Sequence, residues 1–238
     1  MKVDDGRGNA GHTVVTREDW LSARTALLAK EKEFSRLRDD LSRQRRELPW
    51  VKVDKEYAFD GPSGRETLSD LFLGRRQLVV YHFMFNPEAN AGCKHCSFWA
   101  DSFNGVDVHL SHRDVSFLAI SRAPLAKIEA FKKRMGWSFK WVSSFGNEFN
   151  HDYHVSFNPE EVAKGAVYNY VKTTVGADRE GLSVFYKDDG GVFHTYSTYA
   201  RGIDMLNTAY NILDLVPKGR DEGDAPQAWV LHHDRYQV

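Results

Sequence analysis

The sequence predicts an α/β fold in which a central mixed sheet forms the middle of three layers and a long helix precedes it. Three observations lead to this prediction. Apolar runs of strand length alternate with amphipathic segments, a glycine-rich turn joins two final strands, and a long charged segment without glycine or proline comes before them. The 238 residues can form one sizeable core with an extension.

Composition narrows the class of protein. Hydrophobic residues make up 42% of the chain and the net charge is −1, so no general attraction to nucleic acid or anionic lipid is expected. No apolar run approaches the roughly 20 residues that span a bilayer. Residues 1–12 are polar and glycine-rich and lack a signal-like apolar stretch, so we expect a flexible N-terminus and a cytoplasmic protein, with neither nucleic acid nor membrane as a partner.

Residues 13–49 are expected to form an N-terminal helical extension. Thr16 is a suitable N-cap with an acidic residue three positions later, and Pro49 closes the segment. Apolar residues recur at every seventh position from Trp20 to Leu48, while the other faces are charged. Two arrangements suit such a helix: it packs along its own subunit, or it forms a homodimer with a second copy.

Residues 50–216 are expected to form the α/β domain, and residues 217–238 a C-terminal tail that folds back through its aromatic residues. The predicted strands cover 77–85, 115–120, 139–142, 182–186 and 192–196. Helices are predicted after the first of these strands, between Pro124 and Gly136, and over 203–213. The thioredoxin fold has this order of elements: strand, helix, strand, helix, strand, hairpin and helix.

The two cysteines of the chain, Cys93 and Cys96, lie in one tetrapeptide directly after the first predicted strand. A disulfide between them would close almost no loop, so a chemical role is favoured over a structural one. At a strand-to-helix junction, backbone N–H groups favour the thiolate of the first cysteine. We expect Cys93 to be the nucleophile and Cys96 the resolving thiol, with Lys94 and His95 adding positive charge.

Further residues are assigned roles by their position relative to the dithiol. His82 and Asp101 are candidates for tuning the thiolate, although a buried structural histidine and a solvated carboxylate explain them as well. Trp99, Gly181 and Arg201 are candidates for substrate binding. Core packing would explain Trp99, and ordinary edge-strand chemistry would explain Arg201.

A metal-binding module is an alternative function. The two sulfurs would need two further ligands for a closed zinc site, and six histidines are available: His82, His95, His109, His112, His151 and His154. The sequence has no second C-x-x-C and no H-E-x-x-H, so we expect neither a metal nor another cofactor. A third alternative is a dimeric interaction protein in which the dithiol serves only as a redox sensor.

The segment GCKHCSFWADSFNG, from Gly92 to Gly105, resembles the signature of a bacterial family of thioredoxin-like proteins of undefined function. Long blocks on both sides extend the resemblance from about Thr13 to Tyr236; they include YHFMFNP, WVSSFG and HTYSTYARG. The resemblance implies a thioredoxin-like fold and a bacterial, cytosolic setting. It supplies no reaction, substrate or partner.

The chain departs from thioredoxins at one informative place. Those proteins have a cis-proline before the strand that faces the dithiol, whereas here Arg179, Glu180 and Gly181 precede Leu182. A protein-disulfide reductase of the ordinary kind is therefore disfavoured, and the absence of P-x-x-x-T-x-x-C from the sequence also disfavours a peroxiredoxin-like role. The expected function is a thiol–disulfide oxidoreductase whose disulfide or thiol substrate and electron donor are unknown.

Overall fold

A computed structural model describes residues 12–237 of the chain. The flexible terminus expected over 1–12 therefore falls almost entirely outside the described residues. The chain divides into two compact units, residues 1–49 and residues 50–238.

The described part of the first unit is dominated by one helix, α1 (Arg17–Glu47). Thr16 caps it: the Thr16 Oγ1 atom accepts a hydrogen bond from the Asp19 N–H at 3.1 Å. The heptad stripe is solvent-exposed, with Trp20 at 51% and Phe34 at 64% of their full exposure. The predicted helix is thus present in this unit.

Within the described residues of the second unit, eight strands form one mixed sheet. The strands are β1 (Val51–Lys52), β2 (Ala58–Gly61), β3 (Gly64–Thr67), β4 (Gln77–His82), β5 (Val115–Ser121), β6 (Lys140–Ser143), β9 (Gly181–Asp188) and β10 (Gly191–Tyr199). Their order in the sheet is β1-β10-β9-β4-β5-β6-β2-β3. A separate hairpin consists of β7 (Ala166–Tyr168) and β8 (Val171–Thr173).

The centre of this sheet has the layout predicted from the sequence. β4 runs parallel to β5 and antiparallel to β9, and β5 runs parallel to β6. β9 and β10 form the predicted hairpin. The β2–β3 hairpin extends the sheet beyond β6, because β2 pairs with β6 through Asp60 and Ser143.

Helices and turns cover both faces of the sheet. One face packs against α2 (Lys94–Ala100), α4 (Leu125–Arg134) and α7 (Thr208–Leu213) around the core residues Phe83, Trp99, Phe131 and Trp141. The other face packs against the turn Asp70–Phe72 and α5 (Phe149–Asp152) around Phe59, Leu118 and Phe185. These three layers are those of the thioredoxin-like class.

Two predicted helices are interrupted. The segment after the dithiol contains α2 and then α3 (Val106–Ser111), because Gly105 adopts a φ of 84° between them. The last predicted helix is a 3₁₀ segment, Ala200–Leu206, followed by α7. The remaining helix is α6 (Pro159–Lys164). No helix within residues 12–237 has the length and apolar character that crossing a membrane requires.

Candidate active site

The two cysteines lie at the N-terminal end of α2, directly after the loop that leaves β4. Cys93 is the last residue before the helix, with φ −58° and ψ 130°, and Cys96 lies in the first helical turn. The loop is held by a reciprocal pair of contacts. The Cys93 N–H donates to the Met84 carbonyl oxygen at 3.0 Å, and the Met84 N–H donates to the Cys96 sulfur at 3.4 Å.

Gly92 allows the loop to approach the core before it enters the helix. A Cβ atom at this position would lie 2.7 Å from carbons of both Phe83 and Phe131. The carbonyl oxygen of Gly92 is also 2.9 Å from the Nε2 atom of His232. The position of Cys93 therefore depends on a glycine immediately before it.

The surroundings of Cys93 favour its thiolate form. Hydrogen bonds lower the pKa of this thiol to about 4; the largest contribution comes from the Cys96 thiol, followed by the His95 side chain and the backbone N–H groups of Cys96 and His95. The hydrogen bond to Cys93 in turn raises the pKa of His95. The hydrogen bond between Cys93 and His95 therefore favours the charged form of each side chain.

Cys96 has the opposite character. Its side chain is buried, at 1% exposure, whereas Cys93 is partly exposed. Burial raises the pKa of Cys96 well above its ordinary value, and the neighbouring Cys93 raises it further. The site therefore holds a partly exposed cysteine that favours the thiolate and a buried cysteine that favours the thiol, both present as free cysteines.

The structure brings Lys94 close to the dithiol but gives it another partner. The Lys94 ammonium donates to the carbonyl oxygen of Ala228 at 3.4 Å, and its charge lowers the pKa of His95. Lys94 thus anchors the C-terminal segment, which we define as residues 226–236.

The C-terminal segment packs beside the dithiol helix. The Trp229 ring lies edge-on to Phe98 of α2, with centroids 5.3 Å apart. The Trp229 indole N–H donates to Glu222 at 2.7 Å, and the backbone of Gln227 accepts from His95. This segment forms one wall of the site, a position that its own sequence did not indicate.

His82 and Asp101 lie apart from the sulfurs. His82 is on the opposite face of the sheet from Cys96: it stacks on Phe149, and its Nε2 atom is 2.8 Å from the Ser183 Oγ atom. Asp101 accepts from the Trp137 indole at 2.8 Å and contacts His233 at 2.7 Å. Neither placement supports the thiolate-tuning role that the sequence suggested for these residues.

The three residues predicted to bind substrate have different environments. Trp99 is buried, and its indole N–H donates to the Ile203 carbonyl oxygen at 3.0 Å. Gly181 is also buried, and a Cβ there would meet the Tyr199 ring at 2.6 Å, so its close approach is to a neighbouring side chain. Arg201 is the accessible one, with 89% of its side chain exposed.

Trp99 and Arg201 line a cleft beside the dithiol with a volume of about 360 Å³. We call it the dithiol cleft. Its lining residues that were not predicted from the sequence include Arg179, Glu180, Pro226 and Gln227. Arg179 and Glu180 reach it because β9 pairs with β4, which brings the residues before Gly181 next to the loop that follows His82.

The dithiol is not part of a preformed metal cluster in the described chain. Among residues 12–237, no group of three or more histidine, cysteine, aspartate or glutamate side chains is arranged to hold a metal ion. This finding gives no support to the metal-binding alternative.

The dithiol follows the central strand of a mixed sheet, which has a parallel strand on one side and an antiparallel hairpin on the other. This arrangement defines a thioredoxin-like protein. Within that class, residues 9–236 match the model of the family described as "Bacterial protein of unknown function (DUF899)". The chain belongs to this family. No curated protein matches the sequence.

Solved structures with a related fold are distant in sequence. PrxQ of Xylella fastidiosa, solved as a mutant, is 14% identical with a TM-score of 0.43 and covers 68% of this chain and 95% of its own. Peroxidoxin BcpB of Mycobacterium tuberculosis is 14% identical with a TM-score of 0.44, covering 67% and 93%. A thiol:disulfide interchange protein DsbE of Chlorobium tepidum is 12% identical with a TM-score of 0.40, covering 68% and 97%.

Proposed function

We propose that the protein is a thiol–disulfide oxidoreductase that acts through Cys93 and Cys96. The observation that carries this proposal is the asymmetry between the two sulfurs. Hydrogen bonds from Cys96 and His95 lower the pKa of Cys93 to about 4, whereas burial raises the pKa of Cys96. A nucleophilic thiolate beside a protonated resolving thiol is what two-step disulfide exchange requires.

In the first step, the Cys93 thiolate attacks one sulfur of a substrate disulfide. A bond forms between the Cys93 sulfur and that sulfur, the substrate S–S bond breaks, and the second substrate sulfur leaves as a thiolate. The His95 imidazolium, which is hydrogen-bonded to the Cys93 sulfur, can protonate this leaving group. The product is a mixed disulfide between the protein and one half of the substrate.

In the second step, Cys96 loses its proton and attacks the Cys93 sulfur. The mixed disulfide removes the negative charge of Cys93, which is one cause of the raised pKa of Cys96, so deprotonation becomes easier at the stage when it is needed. The bond between Cys93 and the substrate sulfur breaks, and the second half of the substrate leaves as a thiolate that takes up the proton lost by Cys96. Overall, two protein thiols are oxidised to a disulfide while one substrate disulfide is reduced to two thiols, and a dithiol donor must restore the protein.

This reaction suits a reducing compartment, and we place it in the bacterial cytoplasm. We also propose that α1 pairs with α1 of a second copy, because apolar residues recur along it at every seventh position. A redox-sensing role in such a dimer would use the same sulfurs without turnover.

The test uses the protein reduced with dithiothreitol and then desalted, mixed with excess bis(hydroxyethyl) disulfide. We expect the native protein to lose both thiols and to form a disulfide between Cys93 and Cys96, detected by peptide mass. Cys93→Ser should leave the Cys96 thiol unmodified on the same timescale, because that sulfur is buried and protonated. Equal rates of thiol loss in the native protein and Cys93→Ser would refute the proposal.

A further inference from the structure

The dithiol cleft brings two arginine side chains close to the dithiol. Arg179, Arg201 and His95 line it, opposed by the carboxylates of Glu180 and Asp204. Asp204 does not neutralise Arg201 alone, because its Oδ2 atom is also 3.3 Å from Arg220. Arg201 therefore shares its one carboxylate partner with Arg220, and its exposed guanidinium can also contact an incoming anion.

The two arginines differ in how they are held. The Arg179 guanidinium donates to the neutral carbonyl of Thr174 at 3.3 Å and lies over the Tyr168 ring, 5.6 Å from its centroid. Its Nε atom is buried and lacks a hydrogen-bond partner among the described residues. Arg201 is largely exposed at the rim, so both cations have donor capacity left for a carboxylate.

The main chain beside the dithiol is already used within the protein. The Arg179 N–H donates to the Val155 carbonyl oxygen at 2.8 Å, and the Glu180 carbonyl oxygen accepts from the Tyr168 hydroxyl at 2.9 Å. These groups are thus not free to pair with an extended substrate chain, as strand addition would require. The C-terminal segment narrows access further, through Pro226 and Gln227 in the cleft wall.

The apolar part of the cleft suits the carbon–sulfur portion of a small molecule. Trp99, Tyr81 and Ile203 line it, and its volume of about 360 Å³ lies in the range of small-molecule sites. The arginines at the rim and the apolar residues within would orient a substrate so that its carboxylate contacts the arginines. Its sulfur would then face the end of the cleft formed by Cys96 and by His95, which is hydrogen-bonded to Cys93.

We propose that the dithiol cleft binds one half of a carboxylate-bearing low-molecular-weight disulfide, with Arg201 and Arg179 holding the carboxylate. This inference rests on the proposed oxidoreductase function and names the substrate class of the same site. The bond changes are those of the two-step exchange: the small disulfide is reduced to two thiols, and the protein dithiol is oxidised to the Cys93–Cys96 disulfide.

The test compares three small disulfides that differ mainly in charge: dithiodipropionate with two carboxylates, bis(hydroxyethyl) disulfide without charge, and cystamine with two ammonium groups. Each single-turnover rate of the reduced protein is divided by the rate of the same disulfide with dithiothreitol, which removes differences in the reactivity of the leaving thiols. We expect the normalised rate to be highest for dithiodipropionate.

Arg201→Gln should lower the normalised rate for dithiodipropionate by about fivefold, as expected for losing one exposed charge-assisted hydrogen bond, and should leave bis(hydroxyethyl) disulfide unaffected. Arg113→Gln is the matched control, since this exposed arginine precedes β5 at the edge of the sheet away from the dithiol. A preference for cystamine or the uncharged disulfide, or equal losses in both arginine variants, would overturn the inference while leaving the oxidoreductase function intact. Failure of all three disulfides to oxidise the dithiol would overturn both.

Discussion

Replacing His95 with asparagine separates the imidazolium from the other groups that stabilise the Cys93 thiolate. The hydrogen bond from His95 is the second stabilising contribution, after that of Cys96, and the backbone N–H groups of residues 95 and 96 remain in the variant. A hydrogen bond to a charged group contributes about 1.5–3 kcal/mol, which corresponds to about 1–2 pKa units. We therefore expect the pKa of Cys93 to rise from about 4 to roughly 5–6, still below that of a free thiol.

The assay is the rate of alkylation of Cys93 by iodoacetamide as a function of pH, followed by peptide mass. At about pH 5 the thiolate fraction, and with it the rate, should fall roughly two- to tenfold in His95→Asn. At about pH 8 both proteins are fully ionised at Cys93, so their rates should agree closely. His109→Asn is the control, because His109 is an exposed histidine on α3.

Two results would refute this reasoning. An unchanged alkylation profile in His95→Asn would show that the imidazolium does not stabilise the thiolate. A loss of rate that is the same at both pH values would show that the substitution acts through the structure of the loop.

Three further predictions concern redox energetics, packing and assembly. Lowering the pKa of Cys93 from 9.0 to about 4 stabilises the reduced form by about 4 kcal/mol near pH 7. This stabilisation is complete above the ordinary pKa of the thiol and is lost as the pH falls towards about 4. The reduction potential, measured against glutathione buffers, should therefore be about 90 mV higher than that of an unperturbed dithiol. It should change by about 30 mV per pH unit near neutrality, and a change of about 60 mV per pH unit would contradict the ionisation of Cys93. Gly92→Ala should lower the free energy of unfolding by about 1–3 kcal/mol in denaturant titrations, since its Cβ would overlap two phenylalanine rings, whereas Gly176→Ala meets ordinary contacts and should have little effect. Phe34→Glu should weaken self-association in sedimentation experiments because Phe34 lies on the exposed apolar stripe, and a parallel loss in Arg36→Glu would argue against the stripe as the interface.

The sequence carried enough local information to predict the central layers of the fold. β4 and β5 are near-continuous apolar runs, and two consecutive glycines, Gly190 and Gly191, lie where β9 is joined to β10. Strand type and hairpin could therefore both be identified. The outer β2–β3 hairpin could not be placed, because its pairing with β6 joins residues far apart in the chain. Local pattern does not encode such pairings.

Only the part of the candidate site that is contiguous in the sequence could be predicted. The spacing of Cys93 and Cys96 and the preceding strand indicated the dithiol, and the adjacent His95 contacts Cys93 as the local sequence suggested. The sequence could not show on which face of the sheet His82 lies, because β4 is an unbroken apolar strand whose two faces look alike in the sequence. Arg179 and Glu180 enter the cleft only through the pairing of β9 with β4.

The most direct test of the account is to trap the intermediate. Reduced Cys96→Ser is mixed with bis(hydroxyethyl) disulfide, quenched in acid and mapped by peptide mass, alongside Cys93→Ser. We expect a stable mixed disulfide on Cys93 in the first variant and little adduct on Cys96 in the second. An adduct that forms faster on Cys96 than on Cys93, or on neither sulfur, would contradict the claim that Cys93 is the attacking thiolate and Cys96 the resolving thiol.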